Sequence, residues 1–305
     1  MNISNSLSNS IKGNSTDTII ALVGNPNVGK STLMNKLVGE KLSIITPKAQ
    51  TTRHRIFGII NGDNFQIVVS DTPGIINPHY SLHKSMMRFV DTALHDADIV
   101  LYVTDIYDNP DKNPLYVERV ALSDNPVLAI INKMDLSNQN EIEQLVDDWS
   151  KRLPKAQILP VSALRKVNVN LVLNFILRNL PSSQPYFPKD ELTDKTMRFI
   201  VSEIVREKIF LFYKKEIPYS VEVVVESYKE GKSRIDIEAI IYTERETQKQ
   251  ILIGHKGSMI KKVGIDARKD IEAFVEKHVN LRLYIKVEPD WRNNELKLKR
   301  YGYIN

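Results

Sequence analysis

The segment Gly24-Asn25-Pro26-Asn27-Val28-Gly29-Lys30-Ser31 carries the spacing G-x-x-x-x-G-K-[ST], and its flanks decide what that spacing means. Upstream, 17–24 is a short apolar run that reads as a buried strand. Downstream, 30–38 has the composition and length of a helix. A glycine-bearing loop between a strand and a helix lets backbone amides wrap an anionic phosphate chain, with the helix N-terminus adding positive potential. Lys30 can bridge the outer phosphates, the Ser31 hydroxyl can occupy a place on Mg²⁺, and Thr32 follows in the first helical turn. Further along, apolar runs at 55–61, 64–70, 98–104, 126–132 and 157–161 alternate with helix-like stretches at 81–95, 140–152 and 168–179. Such alternation predicts an α/β domain with a mainly parallel sheet covered on both faces.

Three further motifs sit at the ends of those strands. Asp71-Thr72-Pro73-Gly74 supplies a carboxylate on the magnesium side and an amide, that of Gly74, that would sense a γ-phosphate. Asn132-Lys133-Met134-Asp135 decides the base: a carboxylate accepts from both N1 and the exocyclic N2 of guanine, whereas adenine would leave Asp135 unpaired. Ser162-Ala163-Leu164 completes the series, with the Ala163 amide expected at guanine O6. Within Lys48-Ala-Gln-Thr-Thr-Arg53, Thr52 is the residue expected to close over Mg²⁺, so Ser31, Thr52 and Asp71 form the expected metal set. Ile75, directly after Gly74, is apolar and cannot orient an attacking water as a glutamine does. Lys30, Thr52, Asn27 and Gly74 are the candidate catalytic residues. GTP or GDP with Mg²⁺ is the expected ligand set.

The proline-bearing stretch 181–193 reads as a linker, and beyond it the element order changes. A helical stripe at 195–213 precedes strands at 219–227 and 233–242, two short helices around Gly254-His255-Lys256-Gly257, and a last strand at 282–287. The order α-β-β-α-α-β with a G-x-x-G loop predicts a type II KH domain, an α+β binder of single-stranded RNA. Lys261, Lys262 and Arg268 place charge on the helix after the loop. Of the net charge of +5, most lies late in the chain: 244–305 holds 14 Lys/Arg against 9 Asp/Glu, where an anionic partner is expected. The chain divides into a disordered leader (1–16), a GTPase domain (17–180), the linker (181–193), a KH domain (194–289) and a C-terminal tail (290–305). Trp291, Tyr301 and Tyr303 of the tail, interleaved with Arg292, Lys297, Lys299 and Arg300, either stack on unpaired bases or dock the tail on the KH core.

Composition narrows the remaining classes. The 305 residues are 42% apolar and 26% charged, the balance of an ordinary globular protein and not of a coiled coil or a disordered chain. There is no cysteine, which excludes disulfides, thiolate metal sites and a cysteine nucleophile and fits a reducing, cytoplasmic setting. No apolar run approaches the ~18 residues that span a bilayer.

With these residues in place the chain resembles the Era family of bacterial ribosome-assembly GTPases, from Gly24 to about Tyr303. The segments that carry the likeness include "PKAQTTRHRI", "DTPGI", "NKMD", "ILIGHKGSMIKKVGIDAR" and "DWRNNELKLKRYGYI". The resemblance implies a Ras-like P-loop fold followed by the KH domain, and GTP hydrolysis. It also implies binding to the 3′ end of 16S rRNA, action on the 30S ribosomal subunit, and a monomer. Family members also sit loosely on the inner membrane face. In related GTPases the asparagine at the position of Asn27 helps to hold a monovalent cation such as K⁺; alternatively Asn27 only shapes the loop. Two other functions remain open to the sequence: a membrane-associated regulatory GTPase, and an RNA-binding protein that holds GTP without useful turnover, which Ile75 makes worth carrying.

Overall fold

The computed structural model describes residues 16–181 and 186–304; the leader expected at 1–16 lies outside them except for its last residue. Two compact units emerge, one built mainly from residues up to Asp194 and one from Lys195 onward. In the first, β1 (Thr16–Val23), α1 (Lys30–Val38), β2 (Ile56–Asn61), β3 (Phe65–Asp71), α2 (Ser81–Asp96) and β4 (Ile99–Asp105) are followed by α3 (Pro114–Ala121), β5 (Val127–Asn132), α4 (Gln139–Arg152), β6 (Gln157–Pro160) and α5 (Val169–Arg178). The sheet order is β2-β3-β1-β4-β5-β6. β2 runs antiparallel to β3, and every other pairing is parallel.

The reason is visible in the residues. β3, β4 and β5 are buried along their whole length, as the central strands of a sheet covered on both faces must be. Their C-terminal residues Asp71, Asp105 and Asn132 are polar, so each strand leaves the core where its loop must reach a ligand. α3 falls outside the sequence reading, although the Asn113-Pro114 pair at its start is a recognisable helix opening with proline at the first helical position. The expected linker also differs in part. The Leu192 carbonyl accepts from the Ile59 N–H at 2.9 Å and Thr193 bridges Gly58, so the end of that stretch lies along the edge strand β2.

In the second unit, α6 (Met197–Phe212), α7 (Ile217–Ser220), β7 (Glu222–Glu230), β8 (Arg234–Thr243), α8 (Glu246–Ile253), α9 (Ser258–Val275), β9 (His278–Val287) and α10 (Glu295–Arg300) form a three-stranded sheet with helices packed on it. The order is β7-β8-β9, with β8 antiparallel to β7 and parallel to β9. Its core gathers Ile200, Val205 and Ile209 of α6 with Val223, Ile237 and Ile241 of the sheet and Val263, Ala267 and Ile271 of α9. β9 begins four residues earlier than its apolar pattern suggests, because His278–Leu281 pair with β8 through backbone groups that hydropathy does not report. By their contacts, Ile44–Thr51 and Pro78–Ser85 also belong to this unit. The Arg206 guanidinium donates to the Thr51 carbonyl at 2.5 Å, and the Lys48 ammonium donates to the carbonyls of Phe210 and Tyr213.

The tail aromatics settle inward. Trp291 is fully buried and its Nε1–H donates to the Ser220 carbonyl at 3.0 Å; its ring meets Tyr301 edge-on at 5.7 Å. The Tyr303 hydroxyl donates to Glu222 at 2.7 Å. These side chains are therefore structural, and the alternative of base stacking by Trp291 drops out. Trp291→Ala should cost about 3–5 kcal/mol of unfolding free energy, the usual toll of emptying a buried aromatic site. Guanidinium denaturation followed by circular dichroism measures it, and a loss below about 1 kcal/mol would show that the tail is only laid on the surface.

Candidate nucleotide site and nucleic-acid interface

The phosphate loop closes around its own lysine. Lys30, buried at the start of α1, donates from Nζ to the carbonyls of Gly24 at 3.0 Å and Asn25 at 2.8 Å. Burial lowers its pKa from the ordinary 10.5 to about 8, against the pull of Asp71 and Asp108. Asn27 adopts a left-handed φ of 65°, so it shapes the turn of the loop, one of the two roles open to it. Gly29 is required by both conformation and space: its φ is +99°, and a Cβ there would sit 2.1 Å from Nδ2 of Asn132.

The expected metal residues meet. Ser31 Oγ donates to Asp71 Oδ2 at 2.6 Å and lies 2.8 Å from Thr52 Oγ1, which is 3.4 Å from the same carboxylate oxygen. Asp71 is fully buried, and burial pushes its pKa up against the opposing influence of Ser31, Lys30, Ser43 and Thr52. Its other oxygen, Oδ1, is buried without a hydrogen-bond partner. A buried orphan carboxylate oxygen beside two hydroxyls is a donor set of the hard, all-oxygen kind that suits Mg²⁺. Thr72 donates to the Leu22 carbonyl at 2.6 Å and anchors the segment that follows. Gly74 packs so closely on the phosphate loop that a Cβ would stand 2.7 Å from Pro26 Cα. The buried Ile75 donates its N–H to the Gly24 carbonyl at 3.1 Å.

On the base side, the Asn132 carboxamide donates to the Val28 carbonyl at 2.7 Å and accepts the Ala163 N–H at 3.0 Å. The Ala163 amide, expected from the sequence at guanine O6, is thus engaged by Asn132 in this structure. Lys133, with φ of 62°, pairs with Asp105, and the Met134 N–H donates to the Val161 carbonyl at 3.2 Å. Asp135 lies 3.9 Å from Arg165, a loose pair that a ligand displaces at little cost. Ser162 Oγ accepts from the Arg165 N–H at 3.1 Å, and Leu164 is largely exposed. Sequence reading missed Asp105, Asp108 and Asn113, whose contacts with these loops have no local motif to announce them.

In the second unit, Gly254 (φ 70°), Lys256 (φ 49°) and Gly257 (φ 77°) turn the chain sharply between α8 and α9. His255 and Lys256 are exposed at the tip. Further along, α9 and the edge strand β9 bound a groove of about 320 Å³, lined by Lys261 and Arg268 together with Ile260, Ile265 and Leu283. A mixed apolar and basic lining is the kind that suits unstacked bases and their phosphates. Lys262 differs: its ammonium lies 4.3 Å from the centre of the Phe212 ring on α6.

Fold and site together define a guanine-specific P-loop GTPase domain joined to a KH domain. A family model described as a 50S ribosome-binding GTPase matches residues 19–133, and a KH-domain model matches 216–292. The chain is 38% identical to GTPase Era of Clostridium kluyveri across 93% of this chain and 98% of that protein, and 42% identical to GTPase Era of Syntrophus aciditrophicus across 93% and 94%. A crystal structure of Era in complex with MgGDPNP and nucleotides 1506–1542 of 16S ribosomal RNA superposes with a TM-score of 0.91 at 37% identity, covering 95% of this chain and all of the other. The chain belongs to the Era family of GTPases, and it is an enzyme that hydrolyses GTP.

The depressed pKa of Lys30 has a measurable consequence. Between about 8 and 10.5 the unfolded chain binds more protons at this group than the folded one, so Lys30 makes nucleotide-free stability rise with pH across that window. Lys30→Met, which removes the buried charge, should be more stable than the native protein below the window. That advantage should shrink as pH climbs through it. Thermal melts of both proteins without nucleotide provide the check; a constant difference would show that Lys30 is not desolvated.

Proposed function

We propose that this protein is a GTP-switched factor that engages the 3′ end of 16S rRNA through its KH unit and acts in assembly of the 30S subunit. The observation that carries the nucleotide half is the meeting of Ser31 and Thr52 on one oxygen of Asp71, Oδ2, while the other oxygen of that buried carboxylate, Oδ1, is left without a partner. The amides of the phosphate loop and Lys30 bind the phosphates, Asp135 selects guanine, and the Gly74 amide reads the γ-phosphate. Ser31, Thr52 and Asp71 would hold Mg²⁺, which when bound would supply charge neutralisation for the phosphoryl group. Hydrolysis transfers that group to water and releases GDP. Because the Ile75 side chain offers no hydrogen bond, the water is oriented by backbone groups and Thr52, which favours slow turnover accelerated by a partner; a K⁺ ion at Asn27 belongs to the same reading.

The RNA half rests on the exposed G-x-x-G tip and the groove lined by Lys261 and Arg268, together with the bound 16S fragment in the related Era complex. A cytoplasmic place of action follows from that partner, with contact to the inner membrane face secondary. Among the described residues no helix is long and apolar enough to cross a membrane.

Two experiments test the halves separately. Asp135→Asn should weaken GTP strongly and bring up xanthosine triphosphate, whose 2-oxo group accepts from an amide; an unchanged preference for GTP in nucleotide titrations would remove Asp135 from the base site. Replacing His255 and Lys256 together by Asp, with both glycines kept, should reduce affinity for an oligonucleotide of the 16S 3′ end by about 2–5 kcal/mol while GTP binding stays native. Filter binding of that double variant at native affinity would move RNA recognition away from this face.

A further inference from the structure

Asn113 stands at the N-cap of α3, the position where an asparagine side chain ordinarily accepts from the helix's own first amides, a bond worth about 0.5–2 kcal/mol. It makes no such bond. Its carboxamide instead turns to the phosphate loop: Nδ2–H donates to Asn25 Oδ1 at 2.6 Å and to the Ile75 carbonyl at 3.3 Å. Asn25 is itself held from the other side. Its Nδ2–H₂ donates to both oxygens of Asp108 at 2.8 and 3.0 Å, and Thr104 Oγ1 donates to Asp108 Oδ2 at 3.1 Å. Asn25 is almost completely buried and Thr104 completely so, while Asp108 and Asn113 are half-buried, so the brace is anchored at its centre in the core.

The chain ends on the residue that matters for turnover. Ile75 is gripped by both of its backbone groups, the N–H by Gly24 and the carbonyl by Asn113, and Gly74 beside it lies against Pro26. In GTPases with a glutamine after this glycine, that side chain orients the water. Here the side chain is apolar, so the placement of the Gly74–Ile75 backbone must do the orienting, and placement is what a hydrogen-bond brace provides.

We propose that Asn113 is a positioning residue for GTP hydrolysis, which, braced through Asn25 by Asp108, holds the backbone at Gly74–Ile75 against the phosphate loop in place of a glutamine side chain. This rests on the phosphate-loop reading of the site. Asn113→Ala removes the donor to both oxygens, and Asn113→Asp keeps the shape while presenting a carboxylate to two acceptors.

The test measures kcat, KM and the affinity for a fluorescent GDP analogue with Mg²⁺ in the full chain. Asn113→Ala should lower kcat about three- to tenfold, the span of one hydrogen bond, with GDP affinity unchanged. Asn113→Asp should lower it further. Asn25→Ala combined with Asn113→Ala should be no slower than the slower single variant, because both break the same brace. Native kcat in both Asn113 variants, a faster kcat, additive losses, or a fall in kcat matched by an equal loss of GDP affinity would each overturn the proposal; the last would make Asn113 a structural residue of the loop. Failure of the underlying reading shows differently, as an absence of GDP binding and turnover in the native protein.

Discussion

The carboxamide of Asn132 is the point on which the nucleotide site depends. One buried side chain spends its donor on the phosphate loop at Val28 and its acceptor on Ala163, so loops after β1, β5 and β6 are held in one hydrogen-bonded set. A buried amide left half satisfied would cost more than a missing contact on the surface, which makes the arrangement stiff as well as specific. Gly29 belongs to the same constraint, because Asn132 occupies the space a side chain there would need.

Around that frame the site holds charge in a dry place. Lys30 and Asp71 are both buried, and burial moves the lysine pKa down and the carboxyl pKa up, each away from its charged form. Such a pair is a poor source of fold stability, since desolvation offsets attraction. Its value is to keep positive and negative groups ready for phosphate and magnesium with little water to displace. The unpartnered oxygen of Asp71 fits the same priority: a buried polar atom is left unsatisfied at the candidate metal site.

The second unit divides its resources differently. Its core is apolar and closed by Trp291, Tyr301 and Tyr303 from the tail, while its charge is displayed on the G-x-x-G tip and along the exposed face of α9. Aromatic residues among lysines look alike in sequence whether they stack on bases or on a sheet. Here the Trp291 N–H finds the Ser220 carbonyl and the Tyr303 hydroxyl finds Glu222, which a solvent-facing ring would not require.

The sequence by itself determined the α/β unit and the KH unit and marked out the candidate base and metal residues, because each is written in local spacing: a glycine loop between strand and helix, a carboxylate at a strand end, glycines either side of a turn. The apolar runs at 98–104 and 126–132 also have the pattern of strands covered on both faces, which β4 and β5 are. Tertiary structure alone decided the rest. Asn113 lies 88 residues from Asn25, and Asp108 lies 83 away, so no window of sequence contains both ends of that brace. Likewise Ala163 shares its amide with Asn132 only because β5 and β6 are neighbours in the sheet. Local chemistry is legible wherever a ligand demands a fixed spacing; long-range polar contacts are not, because the hydrogen bond constrains distance in space and leaves separation along the chain free.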